Sequence, residues 1–237
     1  MTKGIFSPEI IDKSVIYHYI HNRKLFRGKL PLLRIAVFAS GRGSNFQALA
    51  EAISKRNIDV RIVVVISNNS DAGALAIARS YQIPAVHLSK KQFPLQDAFR
   101  KAVLSTLESH GVDFIVLAGY MKKIDPAIIR LYRNRIINVH PALLPAFGGE
   151  GMYGHHVHEA VIAQHATRSG ATVHIVDEEF DHGPIVLQES IPVEASDTPE
   201  TLAEKILEIE HRILPRAVEL FANNKIAIIN GTVRVAD

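Results

Sequence analysis

The chain has 237 residues, of which 47% are hydrophobic and 22% charged, with no cysteine and a formal net charge of +3. That length supports one large core, or a domain with an appendage. The lack of cysteine excludes disulfides, zinc–thiolate centres and thiol nucleophiles, and makes a cytoplasmic setting the expectation.

Residues 1–32 read as an N-terminal extension. Ser7 as cap and Pro8 at the first helical position open a short amphipathic helix, with Ile10, Ile11, Val15, Ile16 and Tyr19 on its apolar side. Pro8, Glu9, Asp12 and Lys13 interrupt this stretch too often for a secretory leader. Arg27 to Pro31 reads as a linker. Apart from Arg23, Lys24, Arg27 and Lys29, the basic residues are dispersed, which favours small anionic ligands over nucleic acid. No apolar run reaches the roughly 18 residues that a membrane span requires.

Residues 33–237 read as a second, main domain. An apolar run at Leu33 to Ala39 predicts a strand, followed by a Gly-rich turn and a helix from Phe46 to Arg56. A strand at Val60 to Ser67, a helix at Asp71 to Gln82, a short strand at Ala85 to Leu88 and a helix at Gln96 to His110 come next. Phe114 to Ala118 and Arg135 to Val139 predict two more strands, separated by a helix at Pro126 to Tyr132. This alternation implies an α/β fold with a doubly wound, mainly parallel sheet. A Gly-rich loop at Pro145 to Gly154 and a short helix at Val157 to Gln164 follow. Two late strands, Ala171 to Val176 and Ile185 to Pro192, are expected to be antiparallel, before a long C-terminal helix at Pro199 to Asn223.

Three segments carry chemistry. In Ser40-Gly41-Arg42-Gly43-Ser44-Asn45, glycines let backbone N–H groups turn inward at the start of a helix, which makes an anion site. The sequence is neither a Walker loop nor a dinucleotide fingerprint. A plain strand-to-helix turn and a site for one phosphate monoester both fit it. In Ile136-Ile137-Asn138-Val139-His140-Pro141, Asn138 and His140 leave the same face of a strand, and Pro141 ends it. Both polar groups thus sit at the carboxyl end, where open α/β sheets bind ligands. An amide donor beside an imidazole suits a reaction that places charge on a carbonyl oxygen. The third segment, Asp177 to Pro184, holds four carboxylates and is ordinarily a solvated turn, yet His182-Gly183-Pro184 imposes a bend that can aim Asp181 inward. A carboxylate there is expected to raise the pKa of His140. His155, His156 and His158 invite a metal reading, but with no cysteine and a Gly-rich loop no metal is expected. His174 and His182 read as polar packing residues.

These segments, together with Ala118-Gly119-Tyr120-Met121 and Pro141 to Pro145, resemble the phosphoribosylglycinamide formyltransferase family, folate-dependent enzymes of purine synthesis. The resemblance runs from about residue 33 to 225. It implies a Rossmann-like formyltransferase fold and attack of the glycinamide amine on the formyl carbon of 10-formyltetrahydrofolate, the co-substrate. By the same resemblance Asn138 hydrogen-bonds the formyl oxygen, His140 stabilises the oxyanion and relays the proton, and Asp181 supports His140 and orders a water. Gly41, Arg42, Gly43, Ser44, Asn45 and Gly119 match the ribonucleotide side, with Glu210 on the ribose. Met121, Lys122, Lys123, Ile124, Val176 and Phe180, together with Asn138, match the folate side. Lys122 and Gln96 stand where the family commonly carries arginines. The partners implied are two small molecules, with no nucleic acid or membrane, and a monomer or homodimer. The alternatives are a 10-formyltetrahydrofolate deformylase and a non-catalytic nucleotide-binding module. The deformylases usually carry a longer regulatory domain and lack the Gly-Ser-Asn loop, and a mere binder has no use for the trio Asn138, His140 and Asp181.

Overall fold

The computed structural model describes residues 31–236. The expected N-terminal helix lies outside the described residues. Seven strands form one sheet: β1 (Leu33–Phe38), β2 (Val60–Ser67), β3 (Ala85–His87), β4 (Phe114–Leu117), β5 (Ile136–His140), β6 (Arg168–Ile175) and β7 (Ile185–Pro192). Their order across the sheet is β3-β2-β1-β4-β5-β6-β7. The first five are mutually parallel, while β6 runs antiparallel to both β5 and β7. The order reverses between β1 and β4, so the chain leaves those two strands toward opposite faces and opens a crevice at their carboxyl ends.

The central strands β1, β4 and β5 are largely buried on both faces, and their alternation sorts the core into two layers. Leu33, Ile35 and Val37 of β1 face one side, where they meet α1 (Ser44–Arg56), α2 (Gly73–Ser80) and the long α6 (Pro199–Ala222). Ala36 and Phe38 face the other, against α3 (Gln96–Ser109) and α4 (Pro126–Leu131). α6 presents Leu202, Ile206, Ile209, Ile213 and Ala217 to the first layer, at helical spacing. A capping box between Thr198 and Thr201 starts it. Asp125 caps α4 by accepting from the Ala127 N–H, with Pro126 in the first turn.

Several boundaries differ from the sequence reading. α1 starts at Ser44 rather than Phe46, because Gly43 takes the cap position at φ 88° and Ser44 and Asn45 join the helix. α5 (His155–Ala163) likewise starts two residues early, after Gly154. β6 begins at Arg168, ahead of the expected Ala171, since Arg168 to Gly170 pair with β7. A hairpin absent from the sequence reading, β8 (Ile226–Ile229) with β9 (Thr232–Val235), follows α6. Its turn places Asn230 and Gly231 at φ 51° and 74°, the Asn-Gly signature of a tight hairpin, which a closer reading of the last residues could have found.

Candidate active site

A cleft of about 810 Å³ opens at the carboxyl ends of β1, β4 and β5. β5 ends at His140, and its antiparallel register sets Asn138 opposite His174 and His140 opposite Thr172. Asp181 reaches the same spot from the loop between β6 and β7. That loop is tightly constrained: a Cβ on Gly183 would collide with the Ile175 carbonyl oxygen, and Asp181 itself adopts φ 53°, a left-handed value that Asp and Asn tolerate better than most residues.

The three side chains meet. Asp181 Oδ2 lies 3.6 Å from His140 Nδ1, and Asp181 Oδ1 lies 3.5 Å from Asn138 Nδ2. His140 Nε2 is 2.8 Å from the Phe147 carbonyl. A carbonyl can only accept, so Nε2 carries the hydrogen and a proton gained by the ring sits on Nδ1, facing the carboxylate. The Gly149 N–H donates to Asp181 Oδ2 at 3.1 Å, which ties the Gly-rich loop into the cluster.

Burial holds His140 below the ordinary imidazole pKa, against the opposing influence of the Asp181 charge and the Phe147 carbonyl. Asp181 acts in the expected direction, but a ring only 3% exposed loses more to desolvation than one carboxylate returns. Burial alone would raise the Asp181 carboxyl. The hydrogen bond from His174, the charge of His140 and the Gly149 N–H outweigh it and hold Asp181 below the usual carboxylate value.

His174, read from the sequence as packing, is a member of the site. Its Nδ1 is 3.0 Å from the Ile175 carbonyl, and its Nε2 lies 3.1 Å from Asn138 Nδ2 and 3.4 Å from Asp181 Oδ1, so it accepts from the amide when the ring is neutral and donates to the carboxylate when the ring is protonated. His174 therefore fixes which way the Asn138 amide points. The signal was in the register: residues 36 positions apart, on successive strands, become neighbours only once β6 pairs with β5. His182 lies outside the cluster, exposed and paired with Asp177 at 3.0 Å.

Of the residues that the resemblance assigns to the ribonucleotide, Arg42, Asn45, Gly119 and Glu210 line the cleft, whereas Gly41, Gly43 and Ser44 shape the loop without lining it. Gly43 is packed from behind, with a Cβ there falling 2.6 Å from Ala74 Cα. Asn45 Nδ2 donates to Glu210 at 3.0 Å, joining the start of α1 to the middle of α6. Burial pushes the Glu210 carboxyl up to about 7, with the Asn45 hydrogen bond opposing.

The residues that the resemblance assigns to the folate, Met121, Lys122, Lys123, Ile124, Val176 and Phe180, all line the cleft. Lys123 Nζ sits 5.0 Å from the Phe180 ring centroid, within cation–π range. Gln96 does not line the cleft. It donates to Asp125 at 2.8 Å, alongside Arg100 at 3.0 Å, and so braces the segment from behind.

His155 pairs with Glu159 and Glu200, and His156 with Glu159. His158 is buried in the wall of the cleft, and burial pushes it down to about 4. Among the described residues, no group of three or more His, Cys, Asp or Glu is placed to hold a metal ion.

An amide, an imidazole and a carboxylate gathered at the switch point of such a sheet define a class. The formyl transferase family matches residues 33–218, and the chain belongs to it. Within that family it is similar to the chloroplastic phosphoribosylglycinamide formyltransferase of Arabidopsis thaliana, 41% identical over 194 residues, covering 81% of this chain and 66% of that protein. The chain spans 62% of the Vigna unguiculata counterpart, at 42% identity over 81% of this chain. The phosphoribosylglycinamide formyltransferase of Bacillus subtilis (strain 168) is 36% identical, with 81% of this chain and 97% of that protein covered. Among solved structures, glycinamide ribonucleotide transformylase 1 from Symbiobacterium toebii superposes with a TM-score of 0.82 at 38% identity, over 87% of this chain and 95% of that one. The formyltetrahydrofolate deformylase from Pseudomonas syringae, at 24% identity and a TM-score of 0.80, shares the fold.

Proposed function

We propose that this protein transfers the formyl group of 10-formyltetrahydrofolate to the amine of 5-phosphoribosylglycinamide, as a cytoplasmic enzyme with small molecules as its partners. The observation that carries the reading is the convergence of Asn138, His140 and Asp181 in one cleft with Arg42 and Asn45 of the Ser40–Asn45 loop at one side and the Met121–Ile124 segment at the other.

In this reading the amine attacks the formyl carbon directly, and charge appears on the formyl oxygen. One N–H of Asn138 is held by His174, and the other makes only a long contact to Asp181, so it is free to donate to that oxygen. His140 takes up the amine proton at Nδ1, with Asp181 stabilising the imidazolium and positioning a water for the relay. Collapse of the tetrahedral intermediate releases tetrahydrofolate and formylglycinamide ribonucleotide, with no covalent enzyme intermediate. The backbone N–H groups at the start of α1 receive the phosphate, and Glu210 receives the ribose hydroxyls.

The test is a turnover assay with 10-formyltetrahydrofolate, with and without glycinamide ribonucleotide. Formyl transfer that requires the ribonucleotide is expected. Release of formate at the same rate without the acceptor would replace this reading with a deformylase.

A further inference from the structure

The backbone pairing between β1 and β4 runs out where the crevice opens. After the last ladder pair, Phe38 with Leu117, the Ala118 N–H still donates to the Phe38 carbonyl at 2.8 Å, and the Ser40 N–H to the Gly119 carbonyl at 3.0 Å. Beyond that point the two strands diverge, β1 into the Gly-rich Ser40–Asn45 loop and β4 into the Met121–Ile124 segment that lines the folate side. A side chain then takes over from the backbone. Ser40 Oγ accepts from the Met121 N–H at 2.8 Å and donates to Asn68 Oδ1 just past the end of β2. Ser40 is 9% exposed, and neither it nor Asn68 lines the cleft.

We propose that Ser40 is a positioning residue whose hydroxyl locks the Gly-rich loop to the Met121–Ile124 segment, so that the two substrate subsites are held in one mutual geometry. The inference rests on the functional reading above for the identity of the ligands. A hydroxyl is suited to the task because it donates and accepts at once. Asn68 fixes its rotation, which leaves a lone pair aimed at Met121. Removing it leaves a part-buried N–H and a part-buried amide oxygen without partners. The Gly41 carbonyl accepts from the Ala74 N–H at 3.2 Å, so the far side of the loop is tied to α2, and movement at Ser40 is passed on to the loop rather than absorbed. Two sites that share such an element are thermodynamically coupled, and the coupling is reciprocal.

The experiment measures ribonucleotide affinity with and without saturating tetrahydrofolate, in wild type and in Ser40→Ala, Ser40→Thr and Ser40→Val. Thr and Val are near-isosteric and differ in the hydroxyl. Wild type is expected to show a coupling factor of about fivefold or more, retained in Ser40→Thr and close to one in Ser40→Ala and Ser40→Val. Amide exchange at Met121 should quicken in the same two variants and not in Ser40→Thr. A wild-type factor of one, an unchanged factor in Ser40→Ala, or unchanged exchange at Met121 overturns the proposal. If the Ala and Val variants do not fold, Asn68→Ala frees the hydroxyl to rotate and should lower the factor. An unchanged factor there overturns it equally. Wild type that binds neither ligand defeats the functional reading instead, and Met121 exchange then decides the clamp by itself.

Discussion

Replacing Asp181 by Asn removes one charge from the site and little else. Asn tolerates the left-handed backbone that Asp181 adopts, and its amide oxygen can still accept from the Gly149 N–H. What is lost is the attraction between the carboxylate and a proton on His140 Nδ1, 3.6 Å away. At an effective dielectric of about 20 that attraction amounts to roughly 5 kcal/mol, an upper bound on the effect. A fall in turnover of about 10²-fold corresponds to about 2.7 kcal/mol, well within the bound, and is the expected result. The sign of the pH effect follows from the balance at His140. Burial already depresses its pKa and Asp181 opposes that, so the variant must have a lower His140 pKa than wild type. The rising limb of the pH–rate profile, where His140 gives up its proton, should move to lower pH while the plateau drops. Ribonucleotide affinity should scarcely change, because that subsite is built on other loops. The assay is steady-state kinetics across pH, paired with NMR titration of the His140 ring. An identical His140 titration in the two proteins would refute the reasoning, as would full turnover in the variant.

Three further outcomes are expected. His140→Ala should lower kcat by about 10²-fold or more with little change in either KM, and near-normal turnover would remove it from the chemistry. Gly43→Val forces a side chain against Ala74 at a φ of 88°; it should raise KM for the ribonucleotide far more than for the folate and cost upward of about 1 kcal/mol in stability, and equal KM changes would make the loop merely structural. Glu210→Gln tests the buried carboxyl: its folded pKa of about 7 lies above the ordinary glutamate value of 4.5, so wild type should lose about 3 kcal/mol of stability relative to the variant as pH rises from the lower value through the higher. Denaturant melts at pH 5 and pH 8 read this directly, and parallel stability profiles in the two proteins would contradict it.

Much of this molecule is written in local pattern. The apolar runs of β1, β2, β4 and β5 separated by amphipathic helices imply the doubly wound sheet, because strands buried on both faces need continuous hydrophobic stretches. The two-residue spacing of Asn138 and His140, closed by Pro141, places both at the ligand-binding edge for the same kind of reason: strand periodicity and a missing N–H are properties of adjacent residues. What the tertiary structure decided are relations between distant residues. That Asp181 meets His140, and that His174 orients Asn138, depends on the antiparallel register of β6 against β5, which no local window encodes. The net direction of the His140 pKa depends on how much of the ring the Phe147 loop buries, a quantity set by packing. The pairing of Ser40 with Met121 exists only because β1 and β4, far apart in the chain, end side by side. Sequence periodicity specifies which face a side chain leaves from, whereas its partner across the cleft is set by how the strands align.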